Sequence, residues 1–171
     1  KGAKIYTTAG SESKLEYLRK QGVDVPINYT TDDFSKVITE PIDVAFDSLG
    51  GENFRKSYKL LNRGGRIVAY GASSMTDAHN VLTKAKMGAA FGVYHPAFLI
   101  MESRSIIGVN MLRIADYKPD ILKYCMDNVI QLLEDGKINP HVGEMYDAKD
   151  IYKAHDDMEK RKTIGKVGIV W

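Results

Sequence analysis

Three places in the chain join a short β-branched run to glycine and small hydroxyl residues: Thr8-Ala9-Gly10-Ser11, Asp47-Ser48-Leu49-Gly50-Gly51 and Tyr70-Gly71-Ala72-Ser73-Ser74. In an open parallel sheet, ligands lie beyond the carboxyl ends of the strands, where helix N-termini and backbone N–H groups collect. Any one of these endings reads equally well as a tight turn. Three in succession are hard to put down to turns alone and point to a ligand site.

The first ending carries more detail. A dinucleotide sheet that selects NAD usually places an acidic residue at this strand end to hold the ribose 2′-hydroxyl. Here the position offers Thr8, Gly10 and Ser11, with Lys14 one helical turn later. Small hydroxyls and a cation suit a 2′-phosphate through charge-assisted hydrogen bonds, although Lys14 also reads as an ordinary solvated helix charge. Asp47, at its own strand end, either orients a ligand or caps the following turn.

Other chemistries find little support. The chain has no G-x-G-x-x-G, P-loop or G-x-S-x-G motif. His79, His95, His141 and His155 are scattered, and Cys125 has no second cysteine, so no metal-ligand spacing is present. Cys125 reads as a core residue on a helix face, and His141, after Asn139-Pro140, as a loop residue.

The elements that must position these residues follow from periodicity. Strands are expected at Lys4–Thr8, Val25–Tyr29, Ile42–Asp47, Arg66–Tyr70, Ser105–Met111 and Lys166–Val170. Pro26 marks the second as an edge. Helices are expected from Ser13 to Gln21, from Thr31 to Ile38, through Phe54, Tyr58 and Leu61, from Pro119 to Gly136, and after Asp147 and Asp150. Between Ala72 and Met101 an apolar stretch interrupted by Gly88, Gly92 and Pro96 reads as an excursion with one or two helices. Strands alternating with helices predict an α/β fold with a parallel sheet and helices on both faces.

The 171 residues are 44% hydrophobic and 27% charged, a globular composition sized for one domain or two. Twenty-four basic and 22 acidic residues are interspersed and leave +2, which gives no electrostatic case for nucleic acid. The longest apolar stretch, Met87 to Met101, contains His95 and Pro96 and is too short for a membrane span of about 20 residues. A single cysteine fits a reducing compartment and hence a cytoplasmic location.

The segments Gly2-Ala3-Lys4-Ile5, Thr8 to Lys14, Ile27-Asn28-Tyr29 and Phe46 to Gly51 together resemble the cofactor domain of medium-chain dehydrogenases/reductases, in the quinone oxidoreductase (zeta-crystallin) branch. Gly64 to Gly71 and Gly165-Lys166-Val167 match the same branch. The insert Ala72–Glu102 and the segment Lys137 to His141 look most like its synaptic vesicle membrane protein relatives.

The resemblance implies a zinc-independent enzyme that uses NADP(H) to reduce quinones or conjugated carbonyls. Carried over by position, it implies that Ser11 and Lys14 hold the adenosine 2′-phosphate and that Tyr29 lies near the adenine. Ser48 and Leu49 would line the cofactor cleft. Tyr70, Gly71 and Ala72 would lie toward the pyrophosphate–nicotinamide end, and Asn110 and Met111 would approach the nicotinamide. No side chain in the chain is an evident proton donor, so no catalytic residue is assigned. A non-catalytic binding or interaction protein on the same scaffold is the alternative.

The family also places a substrate domain, a first strand and a glycine-rich loop ahead of the position of Lys1. The expectation is therefore a Rossmann-like, doubly wound parallel sheet lacking its first strand and glycine-rich loop. A partial NADP-binding domain would occupy residues 1–146. The helix and strand of 147–171 would pack on a catalytic domain absent from this chain. Without the first strand, which lies between Lys4–Thr8 and Ile42–Asp47 in the order 3-2-1-4-5-6, the chain is not expected to form a stable isolated monomer. The strand at 104–111, outermost in the sheet, is expected to join a homodimer.

Overall fold

The computed structural model describes residues 2–72 and 88–171. Ser73, Ser74, His79 and the first part of the 72–102 insert lie outside the described residues. Two compact units divide the chain, Lys1–Tyr117 and Lys118–Trp171.

In the first unit, β1 (Tyr6–Ala9) leads into α1 (Glu12–Lys20), which returns to β2 (Val25–Asn28). β1 and β2 form a parallel pair. α1 buries Leu15, and the turn Gln21–Gly22 ends it. A single-turn α2 (Phe34–Val37) follows, its first N–H groups met by Asp33, whose carboxylate accepts from the Ser35 N–H.

β3 (Ile42–Asp47), α3 (Gly51–Leu60) and β4 (Leu61–Ala69) form a parallel crossover. α4 (Pro96–Glu102) then precedes β5 (Ser105–Gly108), giving a three-stranded parallel sheet in the order β3-β4-β5. Pro96 sits in the first turn of α4, where its missing N–H costs nothing. One sheet face, with Ala45, Ile67 and Ile106, packs on Phe54 and Tyr58 of α3. On the other face Phe46, Val68 and Ile107 line up across the three strands. Phe46 is 73% exposed there.

Three local expectations are corrected. β4 begins at Leu61, ahead of the expected Arg66, because a register shift between Ile42 and Val44 accommodates the extra residues around Gly64-Gly65. β5 stops at Gly108, short of Met111. Asn110 accepts from the Arg113 N–H at 3.2 Å and starts an unexpected helix, α5 (Met111–Tyr117).

β1 and β3 do not pair. Each ends its own sheet, as expected of a parallel sheet that lacks the strand between them. Side chains link the two: Lys4 Nζ lies 3.0 Å from a Glu40 carboxylate oxygen, and Tyr6 donates weakly to the same oxygen at 3.5 Å.

In the second unit, α6 (Pro119–Glu134) has the expected extent, opened by Pro119. No residue of α6 is buried, and Cys125, expected in a core, is exposed. The amphipathic spacing made this helix readable, but spacing alone does not supply the surface that covers it. β6 (Val142–Asp147) pairs in parallel with β7 (Lys166–Val170) through a 3₁₀ turn (Ala148–Asp150) and α7 (Ile151–Glu159). Asp147 caps the turn by accepting from the Lys149 N–H. Ala154 is buried, and Tyr146 donates to Asp157 at 2.9 Å.

Candidate functional site at the strand ends

Parallel pairing brings the carboxyl ends of β3, β4 and β5 side by side. The Tyr70 N–H donates to the Asp47 carbonyl at 3.0 Å, and the Val109 N–H donates to the Ala69 carbonyl at 2.8 Å. A Cβ on Gly71 would stand 2.6 Å from the Ser48 carbonyl oxygen, so the backbones after β3 and β4 touch. The expected residues Ser48, Leu49, Tyr70, Gly71, Asn110 and Met111 are thereby gathered on one sheet end, with Ala72 next in the chain. Leu49, Tyr70 and Met111 are 41%, 52% and 51% exposed, leaving apolar surface available to a planar group.

Asp47 is committed to the fold. It is 5% exposed, and its carboxylate accepts from the Leu49 N–H at 3.3 Å and the Gly50 N–H at 2.9 Å. Burial pushes its carboxyl up, and the two N–H donors only partly offset that. Of its two readings, capping the turn is the one realised. It sets the Ser48–Leu49 backbone and leads Gly50 into α3.

The end of the β1–β2 pair forms a second cluster. The Tyr29 N–H donates to the Ala9 carbonyl at 3.0 Å. The Tyr29 ring lies against Gly10 so closely that any Cβ there would collide with its hydroxyl. Ser11 stands at the N-cap of α1, makes no side-chain capping bond, and meets Ser13 Oγ at 3.1 Å. Lys14 is the third residue of the helix. Gly10, Ser11, Lys14 and Tyr29 thus share one strand end, and no acidic side chain stands at that turn ahead of Glu12.

The sequence reading missed an aromatic group beside α3. The Phe54 ring lies 5.5 Å from Phe91 and 5.7 Å from Tyr94, and Tyr58 lies 4.7 Å from Tyr94. Burial raises the hydroxyls of Tyr58 and Tyr94. The spacing of Phe54 and Tyr58, one helical turn apart, was a signal that something apolar covers that face. Among the described residues no cluster of three His, Cys, Asp or Glu side chains could hold a metal ion.

Residues 21–169 match the family described as zinc-binding dehydrogenase. The chain belongs to the zinc-binding dehydrogenase family, in the medium-chain dehydrogenase/reductase superfamily. A synaptic vesicle membrane protein VAT-1 homolog from Danio rerio is 31% identical over 169 residues, covering 95% of this chain and 34% of the relative. A 2-haloacrylate reductase from a Burkholderia species is 29% identical over 173 residues, covering 97% and 47%. A crystal structure of an NAD-dependent alcohol dehydrogenase superposes with a TM-score of 0.71 at 26% identity, covering 99% of this chain and 44% of that one. The chain thus spans between a third and a half of the length of these relatives.

This dehydrogenase family binds nicotinamide cofactors, and the residues of the chain fit one. Gly10 and Gly71 let Tyr29 and the Ser48 backbone close in on the strand ends, and beside these tight turns Leu49, Tyr70 and Met111 leave exposed apolar surface. The described residues supply no ligand set for the zinc of the family's name.

Proposed function

We propose that the chain is the cofactor-binding portion of an NADPH-dependent, zinc-independent oxidoreductase that reduces quinones or conjugated carbonyls. The observation that carries this reading is the alignment of three parallel strand ends, with Gly71 packed on Ser48, in a member of a dehydrogenase family. The choice of NADPH over NADH rests on Ser11 and Lys14 at a strand end that lacks the usual acidic residue. When bound, the cofactor supplies hydride. The chain's own part is to hold it: Ser11 and Lys14 at the 2′-phosphate, Tyr29 near the adenine, and Ser48 and Leu49 along the cleft. Tyr70, Gly71 and Ala72 lie toward the pyrophosphate–nicotinamide end, with Asn110 and Met111 beside the nicotinamide.

Residues 1–146 act as a partial cofactor domain in this reading, and 147–171 as the segment that meets a substrate domain. The protein works in the cytoplasm as a homodimer joined along β5. No helix among the described residues is long and apolar enough to cross a membrane.

One observation favours a second reading. Among the described residues at the gathered strand ends of β3–β5, the carboxylate of Asp47 is buried and occupied by the turn. A binding or interaction protein that holds the cofactor without turning it over would have this composition. NADPH oxidation by the full-length protein against a panel of quinones and enones separates the two. Turnover supports the reductase, and NADPH binding without turnover supports the interaction protein.

A further inference from the structure

The turn between β3 and α3 is held from two directions. Within the chain segment, the Asp47 carboxylate takes the N–H groups of Leu49 and Gly50. From outside, the ring of Phe91 lies on Gly50: a Cβ built there would collide with Cζ and with both Cε atoms. Gly50 has φ 76° and ψ −166°, a region only glycine occupies readily, and it is the N-cap of α3.

Phe91 is itself fixed. Its N–H donates to the Gly88 carbonyl at 3.2 Å and the Gly92 N–H donates to Ala89 at 3.1 Å. The ring is tilted 46° to Phe54 at 5.5 Å, and Tyr94, three residues on, closes over Phe54 and Tyr58. The far end of the ring, its Cζ, is the atom nearest the position of a Gly50 Cβ.

We propose that Phe91 is a positioning residue for the nicotinamide cofactor, acting through Gly50 to fix the Ser48–Leu49 backbone. This rests on the cofactor reading given above. A peptide at φ 76° with only hydrogen bonds on one side can swing, whereas a ring seated on its Cα removes that freedom. A loss of about 5- to 20-fold is expected for a turn that loosens but keeps its Asp47 bonds.

The test uses the full-length protein and the variants Phe91→Ala and Phe91→Tyr. NADPH affinity is read by nicotinamide fluorescence, and amide exchange is read without cofactor. With Phe91→Ala, the Leu49 and Gly50 amides should exchange at least about 10-fold faster while those inside α3 keep their protection, and NADPH should bind about 5- to 20-fold more weakly. Phe91→Tyr keeps the stack on Phe54 but adds a hydroxyl at the ring atom nearest Gly50, so it should disturb the Leu49 and Gly50 amides and NADPH binding while leaving the protection inside α3 unchanged. A ring whose only role was to fill the core would, when disturbed, loosen α3 and the turn together. Equal loosening throughout α3, or NADPH affinity unchanged in both variants, would overturn the proposal alone. Failure of the unaltered protein to bind NADPH would overturn it together with the reading it rests on.

Discussion

The ammonium of Lys56 lies 3.0 Å from the carboxylate of Asp33. The pair joins α3, which packs on the β3–β4–β5 sheet, to the cap of α2, which follows the β1–β2 pair. Since no strand ladder connects these two sheets, this contact and Lys4–Glu40 are side-chain ties across the division.

The first prediction concerns acid stability. Hydrogen bonds from the Ser35 hydroxyl, then Lys56, then the Ser35 N–H hold the Asp33 carboxyl at about 2, down from 3.8. A carboxyl depressed on folding contributes stability that is present above its unfolded value and lost as pH falls through its folded value. Asp33→Asn should therefore flatten the decline in stability between about pH 4 and pH 2 relative to the unaltered protein. Urea midpoints measured across that range check it. Parallel declines in both proteins would show that Asp33 is not the group responsible.

Lys14→Ala is expected to weaken NADPH far more than NADH, by about 1–3 kcal/mol for the loss of a charged hydrogen bond. Titration of both cofactors into the full-length protein decides the matter. Equal losses would remove the 2′-phosphate from Lys14.

β5 is the outer strand of its sheet, carries Ile107 at 41% exposure, and has one unpaired edge. Ile107→Pro removes a ladder N–H and should convert a dimer to monomers in light scattering. A dimer that survives the change joins elsewhere.

The edges of β1 and β3 bear on the isolated chain. Each strand leaves an open edge, and on β3 Val44 and Phe46 are exposed beside it, a surface that recruits another chain. Expressed alone, the 171-residue chain is expected to self-associate or to unfold without a sharp transition. A monodisperse monomer with a single cooperative calorimetric peak would contradict this.

Much of the fold was legible because strands and helices were written in different periods. Ile42 to Asp47 has its expected bounds, and Pro119 announces α6. Two of the glycine endings, after β3 and β4, stand at strand ends that one ladder brings side by side, whereas the first, after β1, ends a separate pair. Features that depend on distant partners were less visible. The start of β4 at Leu61 depends on the shifted register opposite Ile42, which no local pattern in Asn62 to Gly65 encodes. Asn110 continued an apolar strand-like run, and its capping of α5 outweighed that run. Phe91 lies far from Gly50 in sequence, and its contact with the turn arises only when the insert folds back beside α3.

Among the described residues every ladder is parallel, so none of these strands finds its neighbour through a hairpin. The β1–β2, β3–β4 and β6–β7 pairs each close over one short crossover, but Arg66 must reach Ser105 across the whole insert. Loop closure is charged before the contacts that reward it, which makes such pairings slow. During synthesis, β5 is thus the strand expected to seat late in its sheet, and β4 keeps an open edge until it arrives. A cell making this protein would need its chaperones at that interval, and refolding yields should depend more on protein concentration than on denaturant removal.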